Sequence, residues 1–184
     1  MQVLADLGLL DKAEYIPSPN ADLRPDEADL SLIVVHGISL PPNHFGGPEV
    51  EQLFTNQLDP KADPYFEMIK DLRVSAHLFI RRDGSIIQFV PFHKRAWHAG
   101  VSDFNGRPKC NDFSIGIELE GTDHTLYTAI QYESLAASIK AIWKAYPQIP
   151  KTAVVGHCDI APNRKTDPGR YFLWSALRRM LESA

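Results

Sequence analysis

Cysteine is nearly absent from this chain: Cys110 and Cys158 are the two instances in 184 residues. They do not make a zinc-knuckle spacing, so any metal must be held mainly by histidine and carboxylate. Long hydrophobic runs are missing as well. Nothing approaches the roughly 18 apolar residues of a membrane span. The first residues, MQVLADLGLLDKAEY, carry Asp6 and Asp11 and have no basic start, and the apolar piece Leu7–Leu10 is too short for a signal-peptide core. The expected setting is therefore cytoplasmic, where both cysteines stay reduced. Neither sign of charge dominates. Lys and Arg number 19 against 23 Asp and Glu, a net charge of −4, which provides no basic field for nucleic acid or anionic lipid. The clusters Arg81-Arg82 and Arg178-Arg179 are short and read as solvated faces. With no repeat, low-complexity tract or long linker, the length fits one domain around one core.

The hydrophobic patterning predicts strands interleaved with helices. Residues 1–14 suggest a short amphipathic helix and 15–29, with Pro17, Pro19 and Pro25, a loop. Leu30–Val35 is a nearly continuous apolar run ending at His36, the signature of a buried strand. Short helices are expected at 48–54, opened by Pro48, and at 64–71. Ser75–Arg81 and Ser85–Val90 flank Asp83-Gly84, a hairpin signal, and 91–112 read as loop. In Phe113–Gly121 (FSIGIELEG) Ile115, Ile117 and Leu119 fall on one face and Gly116, Glu118 and Glu120 on the other. The clearest helix is 128–146. Thr128 and Gln131 fit a capping box, Tyr132, Leu135, Ile139, Ile142 and Tyr146 form a stripe, and Pro147 ends it. Trp174–Leu181 reads as a terminal helix with Trp174, Leu177 and Leu181 inward. The sum is an α/β domain with a mixed central sheet covered by helices.

The chemistry concentrates in Thr152–Gly169, TAVVGHCDIAPNRKTDPG. The β-branched run Thr152–Val155 delivers His157 at its end. Lys165, Thr166 and Asp167 stop against Pro168, and a residue before proline is pushed toward extended geometry. Positions two apart in an extended segment face the same way, so Lys165 and Asp167 look into one space. His36 and His157 both end apolar strands. Taken singly, each reads most simply as a satisfied core histidine; as a pair near carboxylates they suggest a catalytic zinc site, which commonly takes three protein ligands. The third is open among Asp167, Asp159 (which could share the face of His157) and Cys158, which an extended segment would point away. Glu118, between Ile117 and Leu119, is costly to bury without a partner, and is a candidate proton acceptor or donor. Glu120 shares that face but lies near the strand end, where exposure is expected. Lys165 could hold developing negative charge. Arg73, Arg107 and Lys109 are candidate contacts for an acidic substrate, with plain solvation the simpler reading for each. His98 is a candidate pocket-wall residue.

These segments also carry a resemblance. HGISLPP (His36–Pro42), FGG (Phe45–Gly47), SAHLFIRRDG (Ser75–Gly84), RAWHAGVS (Arg95–Ser102), CNDFSIGIELEGTD (Cys110–Asp123) and GHCDIAPNRKTDPG (Gly156–Gly169) resemble, in order, the bacterial 1,6-anhydro type of the zinc N-acetylmuramoyl-L-alanine amidases. That family is similar in fold to T7-type lysozyme and the peptidoglycan recognition proteins. The resemblance implies a single domain over 1–184, with 1–29 packed on it as N-terminal helix and loop, and one Zn²⁺ per chain. It implies His36, His157 and Asp167 as ligands, Glu118 and Lys165 as catalytic partners, and Arg73, Lys109, Trp97 and His98 as substrate contacts. The implied reaction is hydrolysis of the amide between the lactyl group of 1,6-anhydro-N-acetylmuramic acid and L-alanine in a soluble muropeptide. The implied setting is a monomer in cytoplasmic peptidoglycan recycling, with consequences for β-lactamase induction. Two departures stand out. Relatives usually have asparagine where Gly37 stands, and arginine where Lys109 stands; lysine keeps the charge but loses bidentate geometry.

Overall fold

The computed structural model describes residues 1–183. Six strands make the central sheet: β1 (Glu14–Tyr15), β2 (Leu32–Ile38), β3 (Leu78–Ile80), β4 (Ile86–Gln88), β5 (Ser114–Glu120) and β6 (Val154–Gly156). Their spatial order is β6-β2-β5-β3-β4-β1. β6, β2, β5 and β3 run parallel, β4 turns back antiparallel to β3, and β1 adds parallel to β4. This is the mixed sheet that the patterning predicts. The helices are α1 (Glu49–Phe54), α2 (Pro64–Ile69), α3 (Ala129–Ala145), α4 (His157–Ile160) and α5 (Trp174–Glu182).

The two central strands are apolar on one face and mixed on the other. Ile33 and Val35 of β2 and Ile115, Ile117 and Leu119 of β5 pack under α3 and α5, against Tyr132, Leu135, Ile139, Ile142 and Leu177. Trp174 and Leu181 pack half-buried on the same cluster. Helix α3 starts where its cap says it should: the Gln131 N–H bonds the Thr128 hydroxyl, and the Gln131 side chain accepts the Thr128 N–H at 3.0 Å. On the other face, Leu32 and Val34 meet Phe113, Ala153 and Ile160. Farther along, Phe79, Ile87 and Phe89 meet Val50, Leu53, Phe54 and Phe66 from α1 and α2. The site lies on this face, between the two clusters.

Several expectations are corrected. Residues 1–14 form no helix. Val3–Leu4 pairs antiparallel with Leu9–Leu10 around Gly8, whose φ of +64° lies in the left-handed region. Buried Gln88 fixes that hairpin: its Oε1 accepts the Leu10 N–H at 2.7 Å and its Nε2 donates to the Gly8 carbonyl. Ala21–Leu23 pairs with Lys94–Ala96, and Asp103–Phe104 with Arg107–Pro108, where loop is expected. Strand β2 runs on past His36 through Ile38, because Leu119 and Glu120 of β5 continue the ladder opposite Gly37 and Ile38. Arg81 is not a solvated charge but pairs with Glu51 and donates to the Gly47 carbonyl.

Candidate metal centre and catalytic cleft

Three adjacent parallel strands line up the chemistry. In the β5–β2 ladder, Glu118 stands directly opposite His36. In the β6–β2 ladder, Gly156 stands opposite Val35, so His157, the next residue, emerges beside His36. A row of His157, His36 and Glu118 thus crosses the sheet. At His157 the chain turns into α4, so the extended-strand spacing expected for Asp159 does not hold. Asp159 folds back to accept the N–H of Gly156 at 2.7 Å and stays exposed. The backbone N–H of Cys158 donates to the Asp167 carbonyl at 3.0 Å, which draws the Lys165–Asp167 segment over the row.

Of the three candidates for a third ligand, Asp167 is the one that reaches. Its Oδ2 lies 3.1 Å from Nδ1 of His157 and 3.2 Å from Nδ1 of His36, and the two Nδ1 atoms are 3.0 Å apart. Two imidazoles and one carboxylate therefore present a nearly equilateral triangle of donor atoms. Zinc bonded tetrahedrally at about 2.0–2.1 Å separates its ligand atoms by roughly 3.3 Å, so the set fits that ion. Glu118 borders the triangle without joining it, with Oε1 3.9 Å from His36 Nδ1, while its buried Oε2 has no hydrogen-bond partner.

Electrostatics separates the two carboxylates. Burial raises the Glu118 carboxyl well above its ordinary value, and the neighbouring Asp167 charge adds to that, with Lys165 opposing. Burial also works to raise Asp167, but the adjoining His157 and His36 rings outweigh it and hold that carboxyl below the usual range. Burial lowers His36 to about 4, so its imidazole is neutral near pH 7.

The centre opens into a cleft of about 350 Å³. Leu40, Leu53, Tyr65 and Leu72 give it an apolar wall, and Thr122, Lys165 and Asp167 a polar one. Lys165 and Asp167 do face one space, as the pre-proline geometry predicts. Lys165 is exposed there, close enough for its charge to act on Glu118 and His36. The proposed substrate contacts scatter. Arg73 is exposed outside the cleft and donates to the carbonyls of Lys70 and Leu72. Lys109 is exposed and does not line the cleft, with left-handed backbone at φ 63°. Trp97 does not line the cleft; its side chain helps to lower the Asp22 carboxyl. Arg107 is occupied by an ion pair with Asp29 and lies 3.8 Å over the Phe113 ring. His98 does border the cleft floor, 8% exposed. Glu120, expected in solvent, is buried, and its two oxygens accept the N–H groups of Gly46 and Arg82, tying the 37–47 loop to the hairpin. The place that a side chain at Gly37 would need is taken by the Tyr127 hydroxyl, 2.3 Å from an ideal Cβ, which donates to the Pro168 carbonyl.

Sequence reasoning missed Arg24, a buried cation under the site. It donates to the carbonyls of Phe92, Asn111, Asp112 and Ser114, and burial lowers it to about 10. A lone arginine in a proline-rich loop carries no local signal of this.

The Glu118 geometry has a measurable cost. Folding raises the proton affinity of this carboxyl, so stability falls as pH climbs from the unfolded value near 4.5 toward the higher folded value. Glutamine does not titrate, and the opposite shift of Asp167 is common to both proteins. After chelation, Glu118→Gln is expected to match the wild type near pH 4 and to exceed it by roughly 1–3 kcal/mol near pH 8, read from denaturant melts. Equal midpoints at both pH values would remove the buried-charge argument.

The family described as N-acetylmuramoyl-L-alanine amidase matches residues 26–170. The chain is 58% identical to the 1,6-anhydro-N-acetylmuramyl-L-alanine amidase AmpD of Citrobacter freundii, over 97% of this chain and 95% of that protein. A crystal structure of a selenomethionine AmpD derivative superposes with a TM-score of 0.93, covering 97% of this chain and 99% of the other. The amidase AmiD of Escherichia coli, solved with anhydro-N-acetylmuramic acid-L-Ala-D-γ-Glu-L-Lys, is 29% identical with a TM-score of 0.61, over 83% of this chain and 57% of that one. With more than half of its length matched by that family and such relatives along nearly all of it, the chain belongs to the N-acetylmuramoyl-L-alanine amidases, in their AmpD type.

Proposed function

We propose that this chain is a zinc-dependent hydrolase of the amide between the lactyl group of 1,6-anhydro-N-acetylmuramic acid and L-alanine, acting on soluble muropeptides in cytoplasmic peptidoglycan recycling. The observation that carries the reading is the triangle of His36, His157 and Asp167 with Glu118 beside it, in a chain 58% identical to a 1,6-anhydro amidase. A zinc ion held by those three residues supplies Lewis acidity toward the amide carbonyl and the attacking water.

The remaining steps fall to the chain's own groups. Glu118 takes a proton from the attacking water at the carboxylate oxygen that has no protein partner, and returns it to the departing L-alanine nitrogen. Its proton affinity, raised by burial and by the Asp167 charge, favours holding the proton between the two transfers. Lys165 offers its ammonium from the polar wall to the carbonyl oxygen as negative charge develops there. The apolar wall at Leu40, Leu53 and Tyr65 excludes water from the other side. Arg73, which borders a small pocket sharing Leu53, Ile69 and Leu72 with the cleft, is the cation we assign to a carboxylate of the stem peptide.

The test is release of L-alanyl peptide from anhydromuropeptide by the purified chain, run beside a turbidity assay on intact sacculi. Turnover of the soluble substrate should be abolished by chelation and restored by zinc. Faster cleavage of sacculi would overturn the recycling assignment, and tight binding without turnover would overturn the enzymatic one.

A further inference from the structure

Two imidazoles can face one ion with their Nδ1 lone pairs only if their protons sit on Nε2. In water the two neutral tautomers interconvert, so something in the fold must choose. With the ion on Nδ1, the hydrogen of His157 goes to Nε2, 3.1 Å from the Ala99 carbonyl, an acceptor with no proton to give; Arg164 Nη2, 3.4 Å from Nε2, donates its hydrogens to the carbonyls of Ala99 and Val101. For His36 the partner is another histidine, with His36 Nε2 2.9 Å from His98 Nδ1, and the direction of that bond must be read from the far side of His98.

There the bonds run one way. The Ser114 hydroxyl donates its single hydrogen to the Cys110 carbonyl at 2.6 Å. Toward His98 Nε2, 3.1 Å away, Ser114 Oγ can therefore only accept. His98 is then protonated on Nε2 and bare on Nδ1, and it accepts from His36 Nε2–H. His36 is left with its lone pair on Nδ1, the atom in the triangle with His157 and Asp167.

We infer that His98 is a positioning residue which fixes the metal-binding tautomer and ring orientation of His36, and that the His98-Ala99 dipeptide sets both histidine ligands at once. This rests on the zinc reading above. Three features show that the dipeptide is built into place. Asn111 Oδ1 accepts the backbone N–H of both His98 and Ala99, at 3.1 and 2.8 Å. Arg164 donates a second bond to the Ala99 carbonyl. The His98 ring lies against Gly116, where an ideal Cβ would come within 2.4 Å of the imidazole. With both ring nitrogens engaged, the His98 imidazole has no nitrogen left for a substrate, which sets this role apart from the substrate contact expected from the sequence.

Two substitutions separate orientation from packing. Asparagine places its Oδ1 where histidine has Nδ1, so His98→Asn keeps the acceptor for His36 but leaves space unfilled. His98→Leu fills more of the space and keeps no acceptor. Zinc affinity of the full chain, measured by competition with a chromophoric chelator, is expected to fall about 10–100-fold in His98→Leu and only a few-fold in His98→Asn. A packing role predicts the reverse order, and leucine binding zinc as well as or better than asparagine would overturn the inference. Independently of either variant, a ¹⁵N–¹⁵N coupling through the hydrogen bond from His36 Nε2–H to His98 Nδ1 is expected in the zinc-loaded wild-type chain; its absence would overturn the inference. A wild-type chain that takes up no zinc would instead sink the metal reading on which this inference rests.

Discussion

Replacing Glu118 with alanine is expected to leave about one zinc per chain and to lower kcat by roughly 10²–10⁴-fold, the range for loss of a positioned general acid–base. The separation of the two outcomes follows from the geometry. Glu118 borders the donor triangle at 3.9 Å from His36 Nδ1 and belongs to a different strand from either histidine, so its removal takes away no ligand. What it does take away is the carboxylate oxygen left without a protein partner in a buried site, an arrangement that costs stability. Because the proton transfers occur in the transition state, kcat and kcat/KM should fall together with KM little changed. Elemental analysis beside steady-state assays on anhydromuropeptide checks both halves. Near-normal turnover would remove Glu118 from the proton path, and loss of zinc would move it into the metal site.

Much of this centre was legible in the chain, for reasons tied to local rules. An apolar run that ends in histidine marks a strand delivering a polar group, which located His36 and His157. Period-two alternation put Glu118, with Gly116, on the face opposite Ile115, Ile117 and Leu119, and the sheet has them so. Proline after Asp167 oriented Asp167 with Lys165. The failures share one cause, contacts set by residues distant in sequence. Asp159 seemed a rival because strand spacing was extended two residues too far; the turn into α4 begins at His157. The N-terminal leucines read as a helix because nothing nearby announces that Gln88 will bond Leu10 and Gly8. Glu120 read as exposed because its partners, Gly46 and Arg82, come from a loop and a hairpin 74 and 38 residues away. His98 could be suspected of lining a pocket, but its bonds to His36 and Ser114 exist only once β2, β5 and the 97–100 segment have met.

Asp167→Ala should lose zinc and activity together, whereas Asp159→Ala should keep both. The two carboxylates lie eight residues apart and look equivalent in a linear sequence, so the pair is a direct test of the geometry. Asp167 supplies one corner of the triangle and its only formal charge. Without it, two neutral imidazoles 3.0 Å apart remain, and a site with two of three protein ligands holds a divalent ion far more weakly. Asp167→Asn sharpens the point, because it keeps the volume and removes the charge. Asp159 instead spends its carboxylate on the Gly156 N–H at the start of α4. Its loss should cost about 0.5–2 kcal/mol, the usual effect of removing a side-chain cap, and leave zinc in place. Zinc content after gel filtration and a denaturant melt on each variant distinguish these outcomes. Zinc retained in Asp167→Ala and lost in Asp159→Ala would mean that the ligand set read from the donor triangle is wrong, and with it the mechanism built on that set.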